Sequence, residues 1–493
     1  MSQSFAAIIL AAGQGTRMKS ALPKVLHEVA GLPMLAHVVR AALRAGAGRI
    51  VVVVGHGREL VEKELASRFG GAVETVVQHE QKGTGHATRC AMEALVDHVG
   101  DVVILAGDVP LLESEAIASL VLAKSAAKKK LSVLTSHLDD PAGYGRILRD
   151  AHGHVVGIRE HKDASDHERA IKEWNTGVYC VDASFLRESL ARLDTKNVQG
   201  ELYLTDVVAM AAEVGGSASV SWSAESVAGV NDRAQLAELE RTMRLRLATH
   251  FARMGVTIRD PETCYLGAEV TIEPDAVIEP NVHLRGKTIV RTGARLDTGV
   301  VLDDVEVRAG AVVKPYTVAQ KSVIGEAAQV GPFSHLRPDS VLGPDVHIGN
   351  FVETKKTTLG KGSKANHLAY LGDGIVGEKV NVGAGTIFCN YDGFQKHTTV
   401  LEDGCFIGSD SQLIAPITIG KNAYVGTGTT VTKNVPEDAL AISRVKQDNK
   451  LGYASRLRER MRALAAAAQR EKAQQAELER AQMAAELEKA PTE

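Results

Sequence analysis

Apolar positions along this 493-residue chain follow two different rhythms. In the first 231 residues, Phe5–Ala12, Ile50–Val54 and Val102–Ala106 are short continuous apolar runs, the signature of strands buried on both faces. Amphipathic stretches separate them. That alternation predicts an α/β, Rossmann-like domain with helices on both faces of a parallel sheet. Ligands on such sheets bind beyond the carboxyl ends of the strands, so the residues after Leu10, Val54 and Leu105 are the ones to inspect.

From Asp232 the spacing changes. Asp232 followed by Gln235 reads as a capping-box-like helix start. Leu236, Leu239, Met243, Leu247, Phe251 and Met254 then recur at helical intervals until Gly255, which predicts a linker helix over 232–255. From Leu266 a period of six takes over: Leu266, Ile272, Ile278, Leu284, Val290, Leu296 and Leu302, with an irregular stretch around Leu284. After a phase slip come Ile324, Val330, Leu336, Leu342 and Ile348, then Val376 and Val382, then Ile407, Leu413, Ile419, Val425 and Val431. A six-residue period of this length fits neither a helix nor simple strand alternation. It predicts a left-handed parallel β-helix of hexapeptide repeats over 256–453, three hexads to a triangular coil. The segment 454–493, rich in Ala, Glu, Arg, Leu and Gln, predicts a long solvent-exposed helical tail; Leu457, Met461 and Leu464 form a sticky edge near its start, for which a plain solvated helix and an oligomer contact are the alternatives.

Composition adds limits. A chain of this length needs more than one core, and 44% hydrophobic with 24% charged residues is globular. Aromatics make up only 4% while glycine reaches 46 residues, which suits aliphatic ladders and tight turns. The net charge of −3 offers no bulk attraction to nucleic acid, so no nucleic-acid partner is expected. Cys90, Cys180, Cys264, Cys389 and Cys405 are odd in number and lack CxxC spacing, arguing against a zinc knuckle or disulfide framework. No signal peptide or membrane span is recognisable, so a cytoplasmic protein with no membrane partner is expected.

Candidate chemistry begins after the first strand. Leu10-Ala11-Ala12-Gly13-Gln14-Gly15-Thr16-Arg17-Met18 carries two glycines that let backbone N–H groups approach a phosphate. Met18 stands where a dinucleotide fingerprint has its third glycine, and the Gly-Lys-Ser/Thr of a P-loop is missing. Arg17 and Lys24 are the cations that would neutralise a triphosphate. Asp108 ends the third apolar run in Ala106-Gly107-Asp108, where a single carboxylate beside phosphates would hold Mg²⁺; Asn231 could add a neutral oxygen. A tight-turn role for Asp108 and a capping role for Asn231 are the structural alternatives.

In the second half the breaks in the repeat are the informative places. Asn350–Lys356 carries Lys355, Ser363–Leu371 carries His367 and Tyr370, and Gly385–Asp392 interrupts the hexads with Asn390-Tyr391. Polar residues that give up ladder regularity need a reason. His367 is the candidate general base for acyl transfer to an amine, because imidazole titrates in the right range.

LAAGQGTRM with PKVL, then QKGTGHA, AGDVPLL, GYGRI, EHKDA and NTGVY, taken in order, resemble the bacterial N-acetylglucosamine-1-phosphate uridyltransferase/glucosamine-1-phosphate acetyltransferase family, from about Ile8 to about Arg444. The resemblance implies that Leu10, Ala11, Ala12, Gly13 and Gln78 contact UTP, with Gly83 and Thr84 against the uracil. Ala106, Gly107 and Asp108 would edge the nucleotide, with Asp108 and Asn231 on Mg²⁺ and Arg17 and Lys24 on phosphates. Gly145, Glu160 and Asn175 would hold N-acetylglucosamine-1-phosphate. In the β-helix, Arg337 and Lys355 would bind the phosphate of glucosamine-1-phosphate, with Tyr370 and Asn381 around its sugar. Ala384, Asn390, Tyr391, Ser409, Thr427 and Arg444 would line acetyl-CoA. Thr427 departs from the alanine familiar there, and the tail is longer than usual. The family also implies a homotrimer with acetylation sites shared between subunits.

Two other readings remain. A single-activity sugar nucleotidyltransferase with a purely structural or regulatory β-helix would not need the His367, Asn390-Tyr391 and Arg444 set. A non-catalytic sugar-nucleotide-binding scaffold would not need Asp108 or Arg17.

Overall fold

The structure, a computed structural model, describes residues 5–487. Expectations for the first four residues and for 488–493 at the end of the tail lie outside the described residues. Contacts divide the chain into one compact unit that ends at Ala441 and a second that begins at Ile442.

The first unit starts with a sheet whose seven principal strands are β1 (Phe5–Leu10), β2 (Ala47–Val54), β3 (Glu74–Val77), β4 (Asp101–Ala106), β5 (Leu131–His137), β6 (Glu173–Asp182) and β7 (Ala218–Ser221). Their order is β7-β5-β6-β4-β1-β2-β3. β6 runs antiparallel to both neighbours and carries an extra hairpin, Arg146–Arg149 with Val155–Arg159. β1 lies between β2 and β4, so the chain reverses its direction of sheet growth there, and a crevice opens at the ends of these strands. The apolar runs are as buried as their continuity predicted: Ile8, Ile9, Val51, Val53, Ile104 and Leu105 are all fully enclosed. Separate cores cover the two faces of the sheet.

The linker helix spans Arg233–Arg253. Asp232 Oδ1 accepts from the Gln235 backbone N–H at 2.9 Å, as a cap should. Gln235 does not return the bond to Asp232; its Oε1 reaches one residue further, to the N–H of Asn231 at 2.8 Å. Leu239 and Met243 of this helix pack with Met18, Leu111 and Val230 in a small core. That core explains Met18: the position is buried by the linker helix rather than facing a dinucleotide.

Thirty short strands then form three parallel sheets of eleven, ten and nine strands. They build the left-handed β-helix of hexapeptide repeats. Each coil adds one strand to each sheet, as in Val277 beside Arg295 and Leu266 beside Leu284. The aliphatic of each hexad points inward onto one continuous core. Leu284 keeps this register despite its polar neighbours. The phase slips are five-residue steps, among them Leu302 to Val307 and Ala319 to Ile324, each inward residue remaining fully buried. Small or hydroxylated residues occupy the inner turns, where Thr354 Oγ1 donates to Ser340 Oγ at 2.8 Å inside the coil.

One corner is unusual. Tyr316, Phe333, Phe351 and Leu368 occupy successive coils with left-handed φ values of 59°, 53°, 59° and 46°. Such backbone favours Gly or Asn, yet here it carries four large apolar side chains, each about half exposed. The three rings stack at centroid distances of 5.3 and 5.7 Å.

The second unit contains the tail helix, Tyr453–Leu487, and its side chains are exposed as far as they are described.

Candidate functional site

The loop after β1 is fastened from both sides. The Ala11 N–H donates to the Val53 carbonyl at 2.9 Å, and the Ala12 carbonyl accepts from Gln81 Nε2 at 2.8 Å. Gly107 N–H donates to the Leu10 carbonyl at 2.9 Å, and a Cβ on Gly107 would stand 3.0 Å from that oxygen, so the two strand ends pack through glycine. Around Gly13 the space is open, as an approaching phosphate requires.

At the end of this loop four side chains converge. Lys24 Nζ lies 2.5 Å from Asp108 Oδ2 and 3.3 Å from Asn231 Oδ1, while Arg17 Nη2 donates to the same Asn231 oxygen at 2.8 Å. One carboxylate and one neutral amide oxygen therefore face a single positive centre, the Lys24 ammonium. Asn231 does not cap the linker helix; Asp232 does that, freeing Asn231 for the cluster. Tyr144, whose phenol is pushed up by burial and by the Asp108 carboxylate, links the GYGRI segment to the same spot.

Gln78, buried at the end of β3, donates to the Gly83 carbonyl at 3.1 Å and lies 3.2 Å from His86 Nδ1. It lines a cavity of about 440 Å³ together with Gln14, Gly55, His56 and Gln81. Gly83 (φ 96°) turns the chain into the helix Thr84–Ala94, and Thr84 Oγ1 accepts from the Leu204 N–H at 3.2 Å. Further along, Gly145 sits against Ile158 and accepts at its carbonyl from the Asn175 N–H at 2.9 Å. Asn175 Nδ2 donates to Tyr179 Oη at 2.7 Å. Glu160 accepts from Thr205 Oγ1 at 3.2 Å; burial raises its pKa despite that bond, and the neighbouring Asp163, Asp206 and Glu201 carboxylates add to the rise.

The β-helix residues form two arrays. Asn350 pairs with His367 on the next coil, and Ala365, Val382, Ile407 and Val425 share one register. Two residues beyond each of these come His367, Ala384, Ser409 and Thr427, one above another along a single corner. Backbone bonds repeat up this corner, from Asp410 N–H to Ala384 O at 2.7 Å and from Gly428 N–H to Ser409 O at 2.9 Å. At about 4.8 Å per coil the column is about 14 Å long. His367 is exposed, with Nδ1 3.2 Å from Asn350 Oδ1. An amide oxygen can only accept, so Nδ1 is the donor in this contact, and in the neutral imidazole Nε2 keeps the lone pair.

The adjoining sheet brings Arg337, Lys355 and Gly372 into register, with Tyr370 beside Glu353. Arg337 Nη1 donates to Glu353 Oε1 at 2.8 Å. Lys355 Nζ lies 3.2 Å from Asp373 Oδ2, which also accepts from Asn390 Nδ2 at 2.5 Å. Lys396, from the loop that interrupts the hexads, stands against Lys355: the contact holds Lys355 above its ordinary value, helped by Asp373, and lowers Lys396. Tyr370 Oη lies where a Cβ on Gly372 would be, 2.5 Å away, so the glycine makes room for the phenol. Asn381 is half-buried on the sheet that also carries Lys364, and Tyr391 is exposed, its hydroxyl donating to the Gly393 carbonyl at 2.6 Å. Arg444 belongs to the second unit and is exposed.

Asn350, Asp373 and Lys396 were not singled out from the sequence. Each meets its partner only through the coil register or the inserted loop. Cys389, in that loop, is half-exposed, and burial raises its thiol pKa.

Comparison with known proteins agrees with both halves. A MobA-like NTP transferase domain matches residues 7–173. A GMPPB C-terminal domain matches 261–332, and the bacterial transferase hexapeptide model matches 321–356 and 398–433. The Bifunctional protein GlmU of Sorangium cellulosum is 58% identical over 92% of this chain and 97% of its own length. The protein of that name from Trichlorobacter lovleyi is 48% identical over 92% of this chain and 99% of its length. The one from Geobacillus sp. strain WCH70 is 48% identical over 92% and 98%.

Proposed function

We infer the reactions from kinship and geometry together: the chain belongs to the family of bifunctional GlmU proteins. It is a uridyltransferase and acetyltransferase of UDP-N-acetylglucosamine synthesis, serving the cell wall. The β-helix acetylates glucosamine-1-phosphate with acetyl-CoA, and the N-terminal domain transfers UMP from UTP to N-acetylglucosamine-1-phosphate, releasing pyrophosphate. The functional division we adopt is 1–231 for uridyl transfer, 232–255 as linker, 256–453 for acetyl transfer and 454–493 as tail.

For acetylation, the supporting observation is the column of His367, Ala384, Ser409 and Thr427. It offers a long, extended thioester a straight track that ends at a base. Ala384, Asn390, Tyr391, Ser409, Thr427 and Arg444 are assigned to acetyl-CoA. Arg337 and Lys355 take the sugar phosphate, with Tyr370 and Asn381 around the ring. His367 Nε2 removes a proton as the amine nitrogen bonds to the thioester carbonyl carbon. The carbon–sulfur bond then breaks and the CoA thiolate leaves to be protonated.

For uridyl transfer, a phosphate oxygen of N-acetylglucosamine-1-phosphate attacks the α-phosphorus of UTP and the bond to pyrophosphate breaks. Arg17 and Lys24 stabilise charge on the phosphates, and most of the acceleration is positioning. Leu10 to Gly13, Gln78, Gly83, Thr84, Ala106 and Gly107 bind the nucleotide, and Gly145, Glu160 and Asn175 the amino sugar. Asp108 and Asn231 suit Mg²⁺, because their two oxygens already converge on one cation, the Lys24 ammonium. When bound there, Mg²⁺ would supply charge neutralisation at the phosphate oxygens.

A homotrimer is supported by the apolar corner of Tyr316, Phe333, Phe351 and Leu368, which is exposed in the single chain and ends beside His367. We assign the chain to the cytoplasm, where UTP and acetyl-CoA are made. The test is incubation with glucosamine-1-phosphate, acetyl-CoA, UTP and Mg²⁺, with products identified by mass. UDP-N-acetylglucosamine with free CoA is expected. Uridylation of supplied N-acetylglucosamine-1-phosphate without any acetylation would leave only the single-activity reading.

A further inference from the structure

The tail helix carries a feature that neither reaction uses. Tyr453, Leu457, Met461 and Leu464 are spaced four, four and three residues apart and form one stripe on its first three turns. Their exposures are 54%, 42%, 57% and 55%, so the stripe has no cover. At 100° per residue, Arg456 and Arg460 border one edge of the stripe and Arg458 flanks the other, while Arg462 lies on the far face of the helix. Among the described residues, no ion pair engages any of these four arginines. The charge is local as well: residues 442–464 hold seven Lys and Arg against two carboxylates, whereas 465–487 hold three against four.

We propose that residues 453–464 lie on an anionic phospholipid surface, with the apolar stripe at the level of the acyl-chain boundary and the arginines on the lipid phosphates. Arginine stems lie along apolar surface while their heads reach outward, so a stripe flanked by arginine on both sides matches the depth profile of a bilayer interface. The helix is too polar to cross a membrane, in line with the absence of any candidate span among the described residues. Expecting no membrane partner because no span exists therefore does not exclude this mode.

A second copy of the helix fits less well. Past Ala468 the same face turns to Glu471, Lys472 and Gln475, so the apolar repeat stops well short of the three to four heptads a coiled coil needs. Parallel copies would also set arginine against arginine along both edges of the seam.

The experiment is co-sedimentation of the full-length protein with vesicles of phosphatidylcholine alone or with about one-third phosphatidylglycerol, at about 0.05 M and 0.5 M salt. Binding to the anionic vesicles at low salt is expected, at least tenfold above neutral vesicles and lost at high salt. Leu457→Glu with Leu464→Glu should abolish it. Arg456→Gln with Arg460→Gln should weaken it by about fivefold per arginine. Uridyl and acetyl transfer should stay unchanged in all these variants. The proposal fails if wild type leaves anionic vesicles in the supernatant at low salt or binds neutral vesicles equally well. It fails too if the Leu variant binds like wild type, or if the only effect of that variant is a change in oligomeric mass. That last result would mark the stripe as a contact between copies. Failure on lipid would leave both enzymatic assignments standing, because they are read from products.

Discussion

Replacing Asn350 is the sharpest probe of the acetylation site, because it separates positioning from chemistry. His367→Ala removes the base itself, a loss that typically costs about 10²–10⁴-fold in rate. Asn350→Ala removes only the acceptor that keeps the proton on Nδ1, through one 3.2 Å hydrogen bond at an exposed site. Such a bond contributes about 0.5–1.5 kcal/mol, so kcat for acetyl transfer should fall about two- to twelvefold with little change in KM. Asn350→Asp should act differently. A carboxylate beside the ring stabilises imidazolium and raises its pKa, so the neutral base is present only at higher pH. The acidic limb of the pH–rate profile should then move upward in pH, with the plateau near wild type.

The assay is release of free thiol from acetyl-CoA with saturating glucosamine-1-phosphate, across about pH 6 to 9. His347, on the outer face of a regular hexad and beside Lys364, is the control and should tolerate Ala. Uridyl transfer from supplied N-acetylglucosamine-1-phosphate should be untouched in every variant, since distant sites behave independently. Near-full acetyl transfer by His367→Ala over that range would refute the general-base assignment. An acidic limb that does not move in Asn350→Asp would refute the pairing of the two side chains.

Other outcomes follow from the same geometry. Asp108→Ala takes away the carboxylate facing Lys24 and should cut pyrophosphate release by several kcal/mol of barrier, about a hundredfold or more, while thiol release continues; parallel loss of both without unfolding would contradict the division of labour. Glu160 must be ionised to accept both from Thr205 and from a sugar hydroxyl, and its pKa is raised. The KM for N-acetylglucosamine-1-phosphate should therefore climb as pH falls, starting above the usual carboxylate value of about 4.3, and Glu160→Gln should abolish that dependence. Sedimentation should give a species near three times 52.5 kDa, and Phe333→Asp with Phe351→Asp should dissociate it; a wild-type monomer with full acetyl transfer would overturn the trimer.

The elements that were legible in the sequence are those fixed by a local rule. A continuous apolar run such as Val102–Ala106 has one economical use, a strand covered on both faces, and it begins within one residue of where it was expected. The linker helix was readable from its stripe and from Asp232, but the stray bond of Gln235 to Asn231 was not, because capping statistics do not say which N–H a glutamine will choose. Lys24, Arg17, Asp108 and Asn231 were each visible as candidates. Their convergence was not, since residues 17 and 231 meet only after the linker helix packs on Met18.

Asn350 shows where the limit lay. In a β-helix the neighbour of a residue on the next coil lies three hexads away, and sequence alone suggests a separation of eighteen. A five-residue step from Thr354 to Leu359 shortens this coil, so the partner of His367 is seventeen residues back, at Asn350. The same correction aligns Lys355 with Gly372, and with it the glycine that makes room for Tyr370. The seven extra residues between Phe388 and Leu401 displace the next alignment from eighteen to twenty-five, which puts Ser409 above Ala384, while a five-residue step from Leu371 to Val376 sets Asn390 against Asp373, seventeen residues back. Each break in the hexad count therefore decides which side chains share a column, and the candidate catalytic residues gather where those breaks fall. Counting inward aliphatic positions through every short step, rather than assuming a constant period, would recover Asn350 from the sequence. Lys396 would still be missed, because its place depends on the path of the inserted loop.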